Sequence, residues 1–114
     1  MLRQTIFAIV LLPLGACAML GGADPALYGA LSDEDVALAA RLVQNSLEQA
    51  PDGAMRRWRN DTTGHSGTIT PVRTYVTAAG HFCRDYQEEI AAGGRQGRFL
   101  HTACRADDAR WVWL

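Results

Sequence analysis

Apolar residues run without a break from Ile6 to Leu12, headed by one cation at Arg3 and halted by Pro13 and Gly15. A bilayer-spanning helix needs about 20 mostly apolar residues. This shorter run, with small residues behind it, therefore predicts an export signal over 1–16. From Ala18 to about Ala30 no apolar period is visible, and Gly21, Gly22, Pro25 and Gly29 predict a flexible leader over 17–31. Fully extended, such a leader would hold the domain roughly 40 Å from its start. From Leu31 the spacing becomes helical. Val36, Ala39, Ala40, Val43, Leu47 and Ala50 fall on one face, Ser32 and Asp35 form a capping box, and Leu31 and Val36 stand at hydrophobic-staple spacing. Acids at 33–35 suit the positive end of a helix dipole, and Pro51-Asp52-Gly53 ends the element.

Beyond Gly53 the period shortens to that of strands. Strands are expected at Met55 to Asn60, Gly67 to Thr77, His81 to Ile90, Arg98 to Arg105 and Trp111 to Leu114. Turns fall at Asp61 to Gly64, Ala78 to Gly80, Gly93 to Gly97 and Asp107 to Ala109, and Pro71 marks an edge position or a bulge. One helix followed by a meander of four to five antiparallel strands predicts an α+β domain over 32–114, with the helix packed on one sheet face. Trp58 and Trp111 should lie beneath that helix, with Trp113 on the side of Trp111.

The segment Leu14-Gly15-Ala16-Cys17 resembles a bacterial lipobox. The resemblance implies cleavage before Cys17, a diacylglyceryl group on its thiol and, with Ala18 next, delivery to the outer membrane. Lipidation of Cys17 leaves Cys83 and Cys104 in an oxidising compartment. A hairpin symmetric about Gly93-Gly94 places these two opposite each other, close enough for a disulfide, and places Tyr86 opposite His101. Phe82, Tyr86, Ile90, Phe99 and Ala103 then share the core face, while the cysteines lie on the other. A zinc site built from His81, Cys83, His101 and Cys104 is the weaker reading, because His101 falls on the opposite face from Cys104. No metal or cofactor is expected.

The net charge of -1 is unevenly distributed. Arg41 is the one cation between Cys17 and Gly53, whereas nine arginines face six acids from Ala54 onward. With the helix over one sheet face, Arg73, Arg95, Arg98 and Arg110 are candidates for binding an anionic envelope polymer, peptidoglycan or lipopolysaccharide. An envelope protein is the other partner considered, and nucleic acid is not expected. Arg84 and Arg105 fall near one another, which calls for acidic partners or an anionic ligand, the partners being preferred. The three histidines are expected at exposed or edge positions. Gly64-His65-Ser66-Gly67 departs from a nucleophile elbow in its second glycine and in the strand that follows, so it reads as a hairpin turn and no enzyme is expected.

Trp58-Arg59-Asn60, Gly64, Gly67, Thr68-Ile69-Thr70-Pro71, Tyr75, Cys83-Arg84-Asp85-Tyr86, Thr102-Ala103-Cys104-Arg105 and Trp111 together resemble the C-terminal domain of the 17 kDa surface antigen family of outer-membrane lipoproteins. The likeness covers about the last sixty residues. The glycine-zipper segment often found ahead of this domain is missing, so membrane insertion is not carried over, and Asp108-Ala109 stands where similar sequences have Asp-Gly. The resemblance implies a lipid-anchored protein of the outer membrane, on its periplasmic face or the cell surface, acting as a non-enzymatic structural or binding module. The alternative is a small inhibitor or accessory subunit of a periplasmic enzyme.

Overall fold

The structure, a computed structural model, describes residues 24–114. The signal segment, Cys17 and the first part of the leader lie outside the described residues. The described chain forms a 3-10 helix, η1 (Pro25–Ala30), one α-helix, α1 (Asp33–Gln49), and five strands: β1 (Arg56–Arg59), β2 (Ser66–Val76), β3 (Phe82–Ala92), β4 (Arg95–Arg105) and β5 (Trp111–Trp113). All neighbours are antiparallel and the sheet order is the chain order, as a meander requires.

α1 starts where its sequence says. Ser32 accepts from the Asp35 N–H at 3.1 Å, and the Asp35 carboxylate accepts from the Ser32 N–H at 2.9 Å. The other end carries no basic residue of its own. Arg84, buried on β3, takes that role by donating to the carbonyls of Leu47 at 2.7 Å and Ser46 at 3.3 Å, and pairs with Asp52 at 2.8 Å. Arg105 pairs with Glu48, which also accepts the Trp111 indole N–H at 2.9 Å. Both arginines thus have the acidic partners that their proximity demands.

The buried stripe of α1 is rotated from the expected one. Asp35, Ala39, Val43, Ser46, Leu47 and Ala50 face inward, while Val36 is half exposed and Ala40 is exposed. The physical reason is Asp35, whose carboxylate also receives Asn60 Nδ2 at 2.8 Å, Thr63 Oγ1 at 2.8 Å and His65 Nδ1 at 2.7 Å. Turning that group toward the β1–β2 loop carries Val36 outward. Leu31, its expected staple partner, packs instead with η1.

η1 replaces the latter half of the expected leader. Asp24 caps it, and Leu27 is buried against Ile90, Ala92 and Phe99. The β3–β4 turn is also shorter than expected: Gly93 and Gly94 alone make it, with φ of 60° and 76°, so β4 begins at Arg95. Two consecutive left-handed residues give the tight hairpin turn that matches strand twist, and glycine adopts them without strain. Cys83 lies opposite Cys104 and is bonded to it, closing a loop of sequence separation 21. Pro71 does mark a bulge, with the register shifting between Pro71 and Arg73. Phe82 has the expected face but is exposed, because it pairs with Val76 beyond the end of α1.

One helix is about 10 Å wide, whereas five strands span roughly 19 Å. The backbone of α1 lies closest to β1 and β2, and its Val43 and Leu47 reach across the sheet to Ile69, Tyr86, Ala103 and Trp111. η1 covers the turn end of β3 and β4. Among the described residues, the corner between α1, η1 and the Trp113 end of β5 is left without a cover.

Candidate functional site

That uncovered corner is a groove of about 460 Å³. Val36, Ala39, Ala40 and Val43 of α1 form one wall, and Trp111 and Trp113 of β5 form the other. Tyr28 and Leu31 close one end, and Gln44 and Arg110 stand at the other. Trp113 is 55% exposed and stacks on the His101 ring at 4.8 Å between centroids and 7° between planes. Its indole N–H donates to the Tyr86 hydroxyl.

Glu88, 3% exposed, lies at the η1 end of the groove. It accepts a hydrogen bond from the Tyr28 hydroxyl and lies 2.9 Å from His101 Nε2, which is itself 2.9 Å from the Tyr28 oxygen. Burial, then the bond to Glu88, pushes the Tyr28 phenol far above its ordinary range, so it remains a donor. Burial also pushes Tyr86 up, against the hydrogen bond from Trp113. The Glu88 cluster latches η1 to the sheet. Gln44 is likewise committed, with Nε2 donating to the Trp111 carbonyl at 2.7 Å and Oε1 accepting the Trp111 N–H at 2.9 Å.

The candidate arginines do not converge. Arg95 pairs with Asp24, Arg98 with Glu89 at 2.8 Å and Arg110 with Asp108 at 2.8 Å. Arg73 lies over the Tyr75 ring, 4.4 Å from its centroid. The face of the sheet away from α1 holds a polar trough of about 520 Å³, where Arg57, Ser66, Thr68, Gln96 and the Arg98–Glu89 pair meet. The histidine expectation is corrected at two positions. His65 and His101 are each largely buried and paired with a buried carboxylate, Asp35 and Glu88, because both point to the helix side. His81 is exposed.

Sequence reasoning also passed over Glu88, Tyr28 and Gln44. For Glu88 a signal existed: it alternates in step with Tyr86 and Ile90 on the core face, and a carboxylate there needs partners. His101 shares that face with Phe99 and Ala103. Tyr28 lay in a segment read as leader, and Gln44 has no sequence signal apart from its place beside Val43.

Residues 45–112 match the family described as 17 kDa outer membrane surface antigen. The chain belongs to that family. It is 40% identical over 81 residues to the 17 kDa surface antigen of Rickettsia bellii, an alignment covering 71% of this chain and 51% of the relative. The same named protein of Rickettsia conorii is 38% identical over the same shares, and that of Rickettsia prowazekii is 38% identical over 69% of this chain and 50% of the relative. The chain thus spans about half the length of the curated relatives it matches. No solved structure matches it significantly. The family match takes in the end of α1 and the sheet as far as Val112, so of the groove lining it includes Glu88, Arg110, Trp111 and Val112, while η1, the α1 wall and Trp113 lie outside it.

Proposed function

We propose that this protein is an outer-membrane lipoprotein, anchored through an acylated Cys17, whose domain is a non-enzymatic binding module of the cell envelope. The names of its relatives support the envelope location, and the Leu14 to Cys17 motif supports the anchor. The observation that carries binding is the groove: an apolar cleft with a few ordered polar groups is the usual form of a small-ligand site. His101, the one imidazole beside it, is already held by Glu88, Tyr28 and the Trp113 ring, which suits it to shaping the wall. Peptidoglycan, lipopolysaccharide or an envelope protein is the proposed macromolecular partner. Salt-sensitive binding through the arginines has less support than the groove, since three of the four candidates are neutralised locally.

Growth with labelled palmitate, followed by membrane fractionation, tests the anchor. The wild-type chain is expected to carry label and sediment with the outer membrane. Cys17→Ser should lose the label and leave that fraction. A wild-type chain without label overturns the reading.

A further inference from the structure

The polar groups around the α1–β5 groove are each already engaged by a neighbour. Gln44 spends both ends of its amide on the Trp111 main chain, Glu88 is held by Tyr28 and His101, and Arg110 is turned to Asp108. What remains is aliphatic and aromatic wall, smooth on the helix side because Ala39 and Ala40 stand where longer side chains would fill the space. A peptide or sugar lying along this wall gives up its water for few donors or acceptors in return. A saturated hydrocarbon chain has no such loss and gains with each methylene covered.

The position of the groove indicates which hydrocarbon. η1, whose Tyr28 closes one end, starts at Asp24, and Asp24 is fixed by Arg95 and by capping the Ala26 N–H at 3.0 Å. Seven residues, Cys17 to Ala23, precede Asp24. Extended, they reach about 24 Å, which exceeds the length of η1 that separates Asp24 from the groove, about 12 Å at roughly 2 Å per residue. A lipid on Cys17 is therefore within reach of the groove, at the high effective concentration of an intramolecular ligand. We propose that the groove receives one acyl chain of the protein's own Cys17 lipid while the protein is outside a bilayer. In the membrane the bilayer competes for the same chain and the groove empties. This inference rests on the lipidation of Cys17 proposed above.

The test labels cells with a diazirine-bearing palmitate analogue, releases the lipidated full-length chain from membranes, removes detergent and irradiates. Adducts are mapped by mass spectrometry, and the mass of the Cys17 peptide is read in the same sample. Adducts are expected within Val36 to Val43 and Trp111 to Trp113, reduced at least tenfold in Ala40→Trp and in Val36→Glu, both at exposed positions. Free analogue added to the unlabelled lipidated chain should label the groove at least tenfold less than it labels Cys17→Ser. Adducts confined to other apolar positions such as Phe82 or Leu100, or insensitive to both substitutions, overturn the proposal. Equal labelling of the lipidated chain and Cys17→Ser by free analogue also overturns it and leaves an exogenous lipid as the occupant. A Cys17 peptide without lipid fails the anchor itself, and the peptide mass separates that failure from the others.

Discussion

Gln44 closes the free edge of β5 by exchanging two hydrogen bonds with the main chain of Trp111, at 2.7 and 2.9 Å. One side chain of α1 thereby does for this position what a sixth strand would do, and it denies the position to a partner strand. Gln44→Ala should cost about 1 to 2 kcal/mol, since two bonds are lost but their backbone groups regain water. Faster amide exchange at Trp111, with β1 and β2 unaffected, is the measurement. Unchanged exchange would show that the edge needs no closure.

Ala109 is the one non-glycine residue with positive φ among the described residues, at 67°. It occupies the turn before β5, where its N–H bonds to the Ala106 carbonyl at 3.0 Å. Left-handed backbone costs an L-residue with a Cβ roughly 1 to 2 kcal/mol, and glycine avoids that cost while adding unfolded-state entropy. Ala109→Gly should therefore stabilise the domain by about 0.5 to 1 kcal/mol, and Ala109→Val should destabilise it, both read by urea unfolding.

Asp35 should be the most acid-sensitive group in the fold. Burial pushes its carboxyl up, but the bonds from the Ser32 backbone, His65, Thr63 and Asn60 outweigh it and hold the pKa well below the usual carboxylate range. A depressed folded pKa gives stability that is complete above the unfolded value of about 3.9 and is lost as pH falls below it. Asp35→Asn should be less stable than wild type at pH 6, with the gap narrowing below about pH 4. Asp35→Ala, which strips three side-chain donors of their acceptor, should cost about 3 kcal/mol. Thermal melts across that window give the answer, and a gap independent of pH would remove the charge from the account.

The arginines differ in how much charge they have to give. Arg57 and Arg73 have no carboxylate within salt-bridge distance among the described residues, whereas Arg95, Arg98 and Arg110 do. In pull-downs with cell-wall sacculi or lipopolysaccharide at low salt, Arg57→Ala and Arg73→Ala should weaken binding several-fold more than Arg95→Ala, Arg98→Ala or Arg110→Ala. High salt should abolish the difference. Equal losses at all five positions would mean that the local ion pairs open freely.

The sequence by itself determined every element whose cause is local. The Ser32–Asp35 capping box starts α1 in its own first turn, Gly93-Gly94 sets a hairpin register that places Cys83 on Cys104, and Pro71 announces its bulge because it lacks an N–H. Only the tertiary structure decided which way α1 faces. Val36 loses its place in the core to Asp35, a choice made by Asn60, Thr63 and His65, none of them near it in the chain. Tertiary packing also turned a glycine-bearing leader into η1, since Leu27 has nowhere to be buried until Ile90 and Phe99 are side by side. The groove follows from both. Its existence depends on the width of five strands against one helix, and on a helix rotation that burial of a single carboxylate imposes, so no run of residues along the chain spells it out.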